Sequence, residues 1–386
     1  KDNTHSVGSG MQQAIAYAEI MDVPFAYSSN GDAFLEHDMK AGTEREISLS
    51  DFPTPEELWN RFKGEHSITP DQADIIAEPY HYEMGKHTPR YYQMVAINRT
   101  VEAIAKGQNR ILLVMATGTG KTYTAFQIIH RLWKSGTKKK ILYLADRNIL
   151  IDQTMQQDFS PFERVMTKVT GKQLDSSYEI YMSLYHQLAG DENEEPFREF
   201  TEDFFDLIIV DECHRGSARD DSRWRKILDY FEPATKIGMT ATPKQDNVVN
   251  TLDYFGEPIY TYSLRQGIED GFLAPFKVMR IGTNVDLEGW RPARGLTDED
   301  GNDIEDREYN SLDYDRNIEL RDRTHKVAQR ITKWLKENDR MSKTIVFCVG
   351  VNHAEIMRQE LVNQNSDMVA INNKYVMRIT GDDAEG

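Results

Sequence analysis

The stretch Met115-Ala116-Thr117-Gly118-Thr119-Gly120-Lys121-Thr122 decides how this chain is read. An apolar run, residues 111–114, leads into it and an amphipathic segment leads out, which predicts strand, phosphate loop and helix. Glycines at 118 and 120 let the backbone turn tightly, so that successive N–H groups point inward at a triphosphate. Lys121 is placed to reach the outer phosphates, and the Thr122 hydroxyl to take Mg2+. The following helix adds the positive end of its dipole. Its apolar residues Ala125, Ile128, Ile129, Leu132 and Trp133 recur at three- and four-residue steps, as packing on a sheet requires. The general pattern G-x-x-x-x-G-K-[ST] asks for glycine where this chain has Met115, so the match lacks its first glycine.

At 386 residues and 39% hydrophobic content, the chain is long enough for two or more domains with real cores. Its longest apolar runs are of single-strand length, well short of the ~20 residues a membrane span needs. No charged-then-apolar signal peptide opens it, so a soluble, cytoplasmic protein with no membrane partner is expected. The two cysteines, Cys213 and Cys348, form neither a disulfide framework nor a zinc pattern. A net charge of −17 argues against broad nucleic-acid binding through overall charge. It leaves room for a local track, because much of the acid is clustered at 191–195, 201–206 and 297–308, which read as solvated loops.

Taken in order, the chain begins abruptly at Lys1 with a polar, glycine-containing stretch and reads as a fragment. A helix is expected from Ser9, capped by that serine, with Gln13 and Tyr17 four residues apart on one face. Strand-like 24–28, the turn Asn30-Gly31 and strand-like 33–36 predict a hairpin. Residues 51–88 carry Pro53, Pro55, Pro70 and Pro79, with one short helix at 55–62, and read as a linker. From Arg90, strands at 111–116, 141–145, 178–183, 207–210 and 236–240 alternate with helical spacers. Such continuous apolar strands predict a parallel α/β sheet covered on both faces, with ligands at the carboxyl ends of strands. Beyond Pro275 come an acidic stretch at 283–310, a helix at 317–338 with Val327, Ile331, Trp334 and Leu335 on one face, a buried strand at 344–349 and a helix at 353–363. These begin a second α/β domain that the chain leaves unfinished.

Asp211-Glu212-Cys213-His214 follows the apolar run that ends at Val210, which predicts both carboxylates at the same sheet edge as Lys121. There Asp211 would hold Mg2+ through water, and Glu212 would orient and deprotonate the attacking water. Thr240-Ala241-Thr242-Pro243 follows another strand, so its hydroxyls could sense the γ-phosphate side; an ordinary proline turn is the alternative. Arg90-Tyr91-Tyr92-Gln93 precedes a helix, and the Gln93 amide could pair with both donor and acceptor on an adenine edge.

Together with Ala145-Asp146-Arg147 and Gln153, these motifs resemble those of superfamily 2 helicases and translocases over residues 90–386. The resemblance implies a RecA-like P-loop ATPase lobe at 89–275 and an incomplete second RecA-like lobe at 276–386. It also implies nucleotide contacts from Gln93, Thr117, Gly118, Thr119, Gly120, Lys121 and Thr122. Catalysis would fall to Lys121, Asp211 and Glu212, coupling to His214, Thr240 and Thr242, and DNA contact to Arg147, which could equally be a structural ion-pair residue.

The segments Asp253-Tyr254-Phe255-Gly256, 262–271, Leu312-Asp313-Tyr314-Asp315-Arg316 and 378–383 are similar to type I restriction enzyme motor (HsdR) subunits in particular. That family's nuclease domain ends its motif set on Gln-x-x-x-Tyr, which Gln13 and Tyr17 match, with Lys1 where the nuclease lysine would fall. Residues 1–50 would then be the remnant of an α/β nuclease domain. ATP, Mg2+, double-stranded DNA and methylation and specificity subunits are the implied cofactors and partners. A type III restriction subunit, an RNA helicase and a non-catalytic nucleotide-binding docking module are the alternative readings.

The family's nuclease carboxylates would precede Lys1, and its late motifs, including the arginine finger, are not in this sequence. ATP binding with feeble turnover and no DNA cleavage is therefore expected of the 386-residue chain. Mg2+-dependent cleavage, or DNA-stimulated hydrolysis at a translocase-like rate, by the purified chain would overturn that expectation.

Overall fold

The computed structural model describes residues 2–85, 88–145, 151, 154–169, 176–190, 195–213, 225–242, 245–246, 249–282, 288–293, 304–310 and 321–380. The readings made at Lys1, Asp146, Arg147, Gln153, His214, Pro243, 312–316 and 381–383, and most of the acidic stretch 283–310, lie outside the described residues. The chain divides into two compact units, Lys1–Pro275 and Phe276–Gly386.

The first unit is built on strands whose side chains alternate between two cores. In β4 (Arg110–Met115), Ile111, Leu113 and Met115 face one core while Leu112 and Val114 face the other. β5 (Ile141–Ala145), β7 (Ile180–Leu184) and β8 (Leu207–Asp211) divide in the same way. Each fully buried aliphatic side chain contributes roughly 1.5–3 kcal/mol, which is why these segments are apolar throughout rather than alternating. With β6 (Met166–Lys168), β9 (Thr235–Thr240) and β12 (Tyr260–Tyr262) they form a seven-stranded, all-parallel sheet in the order β12-β4-β9-β8-β5-β7-β6. A small ribbon, β10 (Gln245–Asp246) and β11 (Val249–Asn250), stands apart from it. The sequence anticipated the five inner strands and missed the short outer ones, β6 and β12, whose three residues each carry too little periodicity.

The first core is covered by α4 (Tyr91–Ala105) and α5 (Lys121–Lys134), and in α5 Ala125, Ile128, Ile129 and Leu132 are buried while Trp133 is half-buried. The second is filled by Phe197, Phe200, Phe205, Ile227, Leu228 and Phe231. Gly238 of β9 lies under the Phe255 ring, where a Cβ would sit 2.8 Å from ring carbon, so the sheet tolerates no side chain there.

The N-terminal layer consists of α1 (Met11–Met21) and an antiparallel sheet of β1 (Phe25–Ser29), β2 (Ala33–Asp38) and β3 (Thr43–Ser48). Ser9 does not cap α1. It belongs to a 3-10 turn, Val7–Gly10, its hydroxyl pairs with that of Ser6 at 2.8 Å, and Gly10 occupies the cap position. β3 escaped the sequence reading because its charged residues show no apolar alternation and only Ile47 is buried.

The stretch 51–88 is more ordered than a loose connection. It holds α2 (Pro55–Glu65) and α3 (Pro70–Ala77), each opened by a capping box, Thr54 with Glu57 and Thr69 with Gln72, and each with proline at its first turn. This stretch is fastened to the phosphate-loop helix. The Gln127 side-chain amide pairs with both the N–H and the carbonyl of His81 at 2.9 and 3.1 Å, and Arg131 donates to Ile76 O at 2.6 Å. Farther along, Arg99 of α4 makes a bidentate pair with Asp22 at 2.7 and 2.8 Å.

In the second unit, helices Arg321–Glu337 and Val351–Gln364 pack through Ala328, Met357 and Leu361. Of the face expected for the first helix, Leu335 is buried and Val327 and Ile331 pack against the core, while Trp334 is exposed and Thr324, Ala328 and Thr332 complete the buried stripe. The expected buried strand at 344–349 is not formed. Val346 and Cys348 pack on the helices, but Ile345 and Phe347 are 79% and 92% exposed. The alternation is that of a strand, yet among the described residues no ladder partner pairs with it, and a strand exists only by pairing. No described helix is long and apolar enough to cross a membrane.

One buried charge centre is testable. Glu36 is 2% exposed and meets Arg45 at 2.7 Å, Arg61 at 2.9 Å and the Tyr27 hydroxyl at 2.6 Å. Burial alone would raise its pKa, but these hydrogen bonds prevail and hold it at about 2. A carboxylate depressed in the folded state stabilises above its unfolded pKa and loses that contribution as pH falls through its folded one. Glu36→Gln is therefore expected to lower stability at neutral pH in chemical denaturation, with the difference from the native chain closing as pH falls from about 4.5 towards about 2.

Candidate nucleotide site

β4 runs directly into the loop, and the Ala116 N–H donates to Tyr262 O of β12 at 2.9 Å, which fixes where the chain leaves the sheet. Gly118 and Gly120 have φ of +84° and +79°, the left-handed region that favours glycine. The turn is gripped from behind. Thr119 O accepts from Gln93 Nε2 at 2.9 Å and from the Tyr92 hydroxyl at 3.1 Å, while the Thr119 hydroxyl donates to Ala116 O at 2.6 Å. Tyr92 is in turn stacked on Tyr262, with centroids 4.0 Å apart and planes within 6°. A Cβ on Gly120 would sit 2.5 Å from Gln93 Nε2, so this position needs glycine for space as well as for its φ.

The front of the loop is different. Thr117, Gly118 and Gly120 are exposed, and no described hydrogen bond uses the N–H of Thr117, Gly118, Gly120, Lys121 or Thr122. A row of donors at the start of a 14-residue helix is what a phosphate group requires.

The acidic half of the site arrives from β8. Parallel register sets Val114 beside Thr240 and Asp211 beside Met239, which brings the ends of β4, β9 and β8 to one edge. Lys121, 9% exposed, places Nζ 3.2 Å from Glu212 Oε1 and 3.4 Å from Met115 O. Glu212 takes φ +53°, which an L residue adopts only at a cost of about 1 kcal/mol or more. Asp211 is 8% exposed, its Oδ2 accepting from the Tyr143 hydroxyl at 2.8 Å and its Oδ1 from the Glu212 N–H at 2.9 Å. Burial pushes its carboxyl up, and the Tyr143 bond and the Lys121 charge only partly offset this. Thr240, fully buried, lies between the two strand ends and accepts the Thr242 N–H at 3.1 Å.

The structure thus brings together Gln93, the residues from Thr117 to Thr122, Asp211, Glu212 and Thr240 around one edge. Gln93 is 4% exposed with its Oε1 accepting the Arg90 N–H at 2.9 Å, so its amide holds the loop and opens α4. Gln13 and Tyr17 lie elsewhere, on the exposed side of α1, joined by a 2.7 Å bond from Nε2 to the phenol. Sequence reasoning missed Tyr92, Tyr262 and Tyr143. A tyrosine inside the aliphatic run Ile141-Leu142-Tyr143-Leu144-Ala145 was the available signal, since a buried hydroxyl needs a partner.

The family described as "Type III restriction enzyme, res subunit" matches residues 86–245, the stretch that holds Gln93, the phosphate loop, Asp211, Glu212 and Thr240. The EcoAI endonuclease subunit, a type I restriction enzyme component of Escherichia coli, is 55% identical over 391 residues, covering 100% of this chain and 48% of its own length. The chain belongs to the type I restriction endonuclease-subunit family. A second relative, the EcoKI endonuclease subunit of Escherichia coli, is 29% identical, covering 93% of this chain and 34% of that subunit. The solved fragment of a proposed HsdR subunit of a type I restriction enzyme from Vibrio vulnificus superposes with a TM-score of 0.74 at 43% identity, over 96% of this chain and 62% of that one. The chain therefore spans half or less of the length of these two curated members of the endonuclease-subunit family.

The loop clamp predicts a separable defect. Gly120→Ala is expected to lower stability by about 1–3 kcal/mol in thermal or chemical unfolding without nucleotide. Adding Gln93→Ala should relieve the steric part and leave the backbone part.

Proposed function

We propose that this chain is the ATP-driven motor portion of a type I restriction endonuclease subunit. ATP hydrolysis moves double-stranded DNA past the enzyme, and a nuclease domain of the same subunit cuts it. The observation that carries the reading is the convergence of Lys121 Nζ, Asp211 and Glu212 on one sheet edge, in front of loop amides that no described hydrogen bond uses. The donor set suits Mg2+, because the Thr122 hydroxyl and the Asp211 carboxylate are hard oxygen ligands beside a place for phosphates. Bound there, magnesium would neutralise charge across the phosphate oxygens.

The chain's own residues account for the rest of the reaction. The loop amides and Lys121 orient the triphosphate, with Lys121 leaving Glu212 for phosphate oxygens. Glu212, so released, accepts the proton of the attacking water. Gln93 sets the loop and faces the base side, while Thr240, Thr242 and His214 pass the nucleotide state onward. Arg147 meets the DNA backbone. Residues 1–50, with Lys1, Gln13 and Tyr17, belong to the nuclease domain, 51–88 join it to the ATPase lobe at 89–275, and 276–386 begin the second lobe. The working assembly includes methylation and specificity subunits and is cytoplasmic.

The test is Lys121→Ala in the full subunit, assembled with those partners. DNA-stimulated ATP turnover is expected to fall at least ~100-fold with assembly intact. Turnover that survives the substitution, or an assembly in which duplex DNA never stimulates ATP turnover, would sink the motor reading.

A further inference from the structure

The buried phenol of Tyr143 is used by none of the steps above. Tyr143 lies on β5 beside Ile209 of β8, and its side chain points into the same core as that of Ile209. Asp211 follows Ile209 by two residues and therefore lies on the same face of β8, beyond it towards the sheet edge. The phenol spans that step and donates to Asp211 Oδ2 at 2.8 Å, with the Thr122 side chain beside it. Tyr143 is 1% exposed, and Phe159 packs edge-on against its ring with centroids 5.5 Å apart, so the ring cannot swing aside.

We propose that Tyr143 is a positioning residue for the Asp211 carboxylate at the magnesium site, its phenol fixing how Asp211 presents its lone pairs. A phenol has one proton, and an ionised carboxylate can only accept, so that proton goes to Asp211. Asp211 is held from both ends, by the phenol on Oδ2 and the Glu212 N–H on Oδ1, which sets the plane of its carboxylate. Without the phenol, Oδ2 loses that partner and the carboxylate is free to turn about its terminal bond. Partners one step behind a metal ligand typically change metal affinity 10- to 100-fold.

This inference rests on the reading of the loop as a magnesium–nucleotide site, and the experiment separates the two. In the full subunit, the affinity of a fluorescent ADP is titrated against Mg2+ for the native protein and for Tyr143→Phe. The native protein should bind ADP more tightly as Mg2+ rises; if it does not, the site reading itself fails. Tyr143→Phe should match the native affinity without metal and need roughly 10- to 100-fold more Mg2+ for the same tightening. An unchanged Mg2+ requirement overturns the role of Tyr143 and leaves the motor reading standing. In an Asp211→Asn background, Tyr143→Phe should add no further loss, and a full second loss would overturn the proposal. A further measurement keeps the hydroxyl: with 3-fluorotyrosine at 143, the fluorine resonance should move when Mg2+ joins ADP. A resonance that stays put overturns the proposal even if the phenylalanine variant fails to fold.

Discussion

Parallel pairing of β4, β9 and β8 fixes which side chains can meet at the site. The ladder sets Val114 level with Thr240, and Asp211 level with Met239, so the phosphate loop, the threonine and the two carboxylates leave the sheet at one height. A slip of one residue in either ladder would turn every side chain of a strand to the opposite face and carry Asp211 out of line with Tyr143. The apolar alternation of these strands between two cores forbids that slip, because it would have to exchange the two cores at once. Packing deep in the lobe thus sets the geometry of polar groups at its rim.

A second constraint acts on the loop itself. Its conformation is imposed from behind, through a single carbonyl, that of Thr119, which receives both Gln93 and Tyr92. Because the grip is on an acceptor, the donors of the loop remain on the other side. Leu273 lies against Gly118, 3.3 Å from where a Cβ would be, and Phe272 meets the Tyr92 ring edge-on at 5.2 Å. The last residues of the first unit therefore brace the same loop that α4 grips.

Much of this was legible in the sequence, and the parts that were not have physical reasons. The inner strands, the loop, α5 and the position of Asp211 and Glu212 were readable because continuous burial and glycine punctuation leave strong local signals. The outer strands β6 and β12 are too short to show a period, and β3 carries consecutive charges at Glu44, Arg45 and Glu46 in place of apolar alternation. The helix α2 was readable at 55–62, whereas α3, though announced by a Thr-Pro-x-Gln pattern, was obscured by the proline that opens it. At the site, Gln93 was singled out for its amide chemistry, yet what that amide touches is set by Thr119, some twenty-six residues away. Tyr143 meets Asp211 across sixty-eight residues of sequence. Such pairings depend on strand order, which periodicity does not encode. The segment 344–349 shows the converse, a strand pattern that joins no ladder among the described residues.

The contact between Lys121 and Glu212 has a consequence for what the pocket admits. The Lys121 ammonium is paired with the Glu212 carboxylate at 3.2 Å, in a nearly dry setting. An arriving anion must displace an internal rival before it gains that charge. A singly charged ion such as chloride or acetate offers no more than the rival does. A polyanion that also engages the neighbouring amides offers several contacts at once. The ion pair therefore favours anions that bring several contacts at once, which is discrimination by valence and shape.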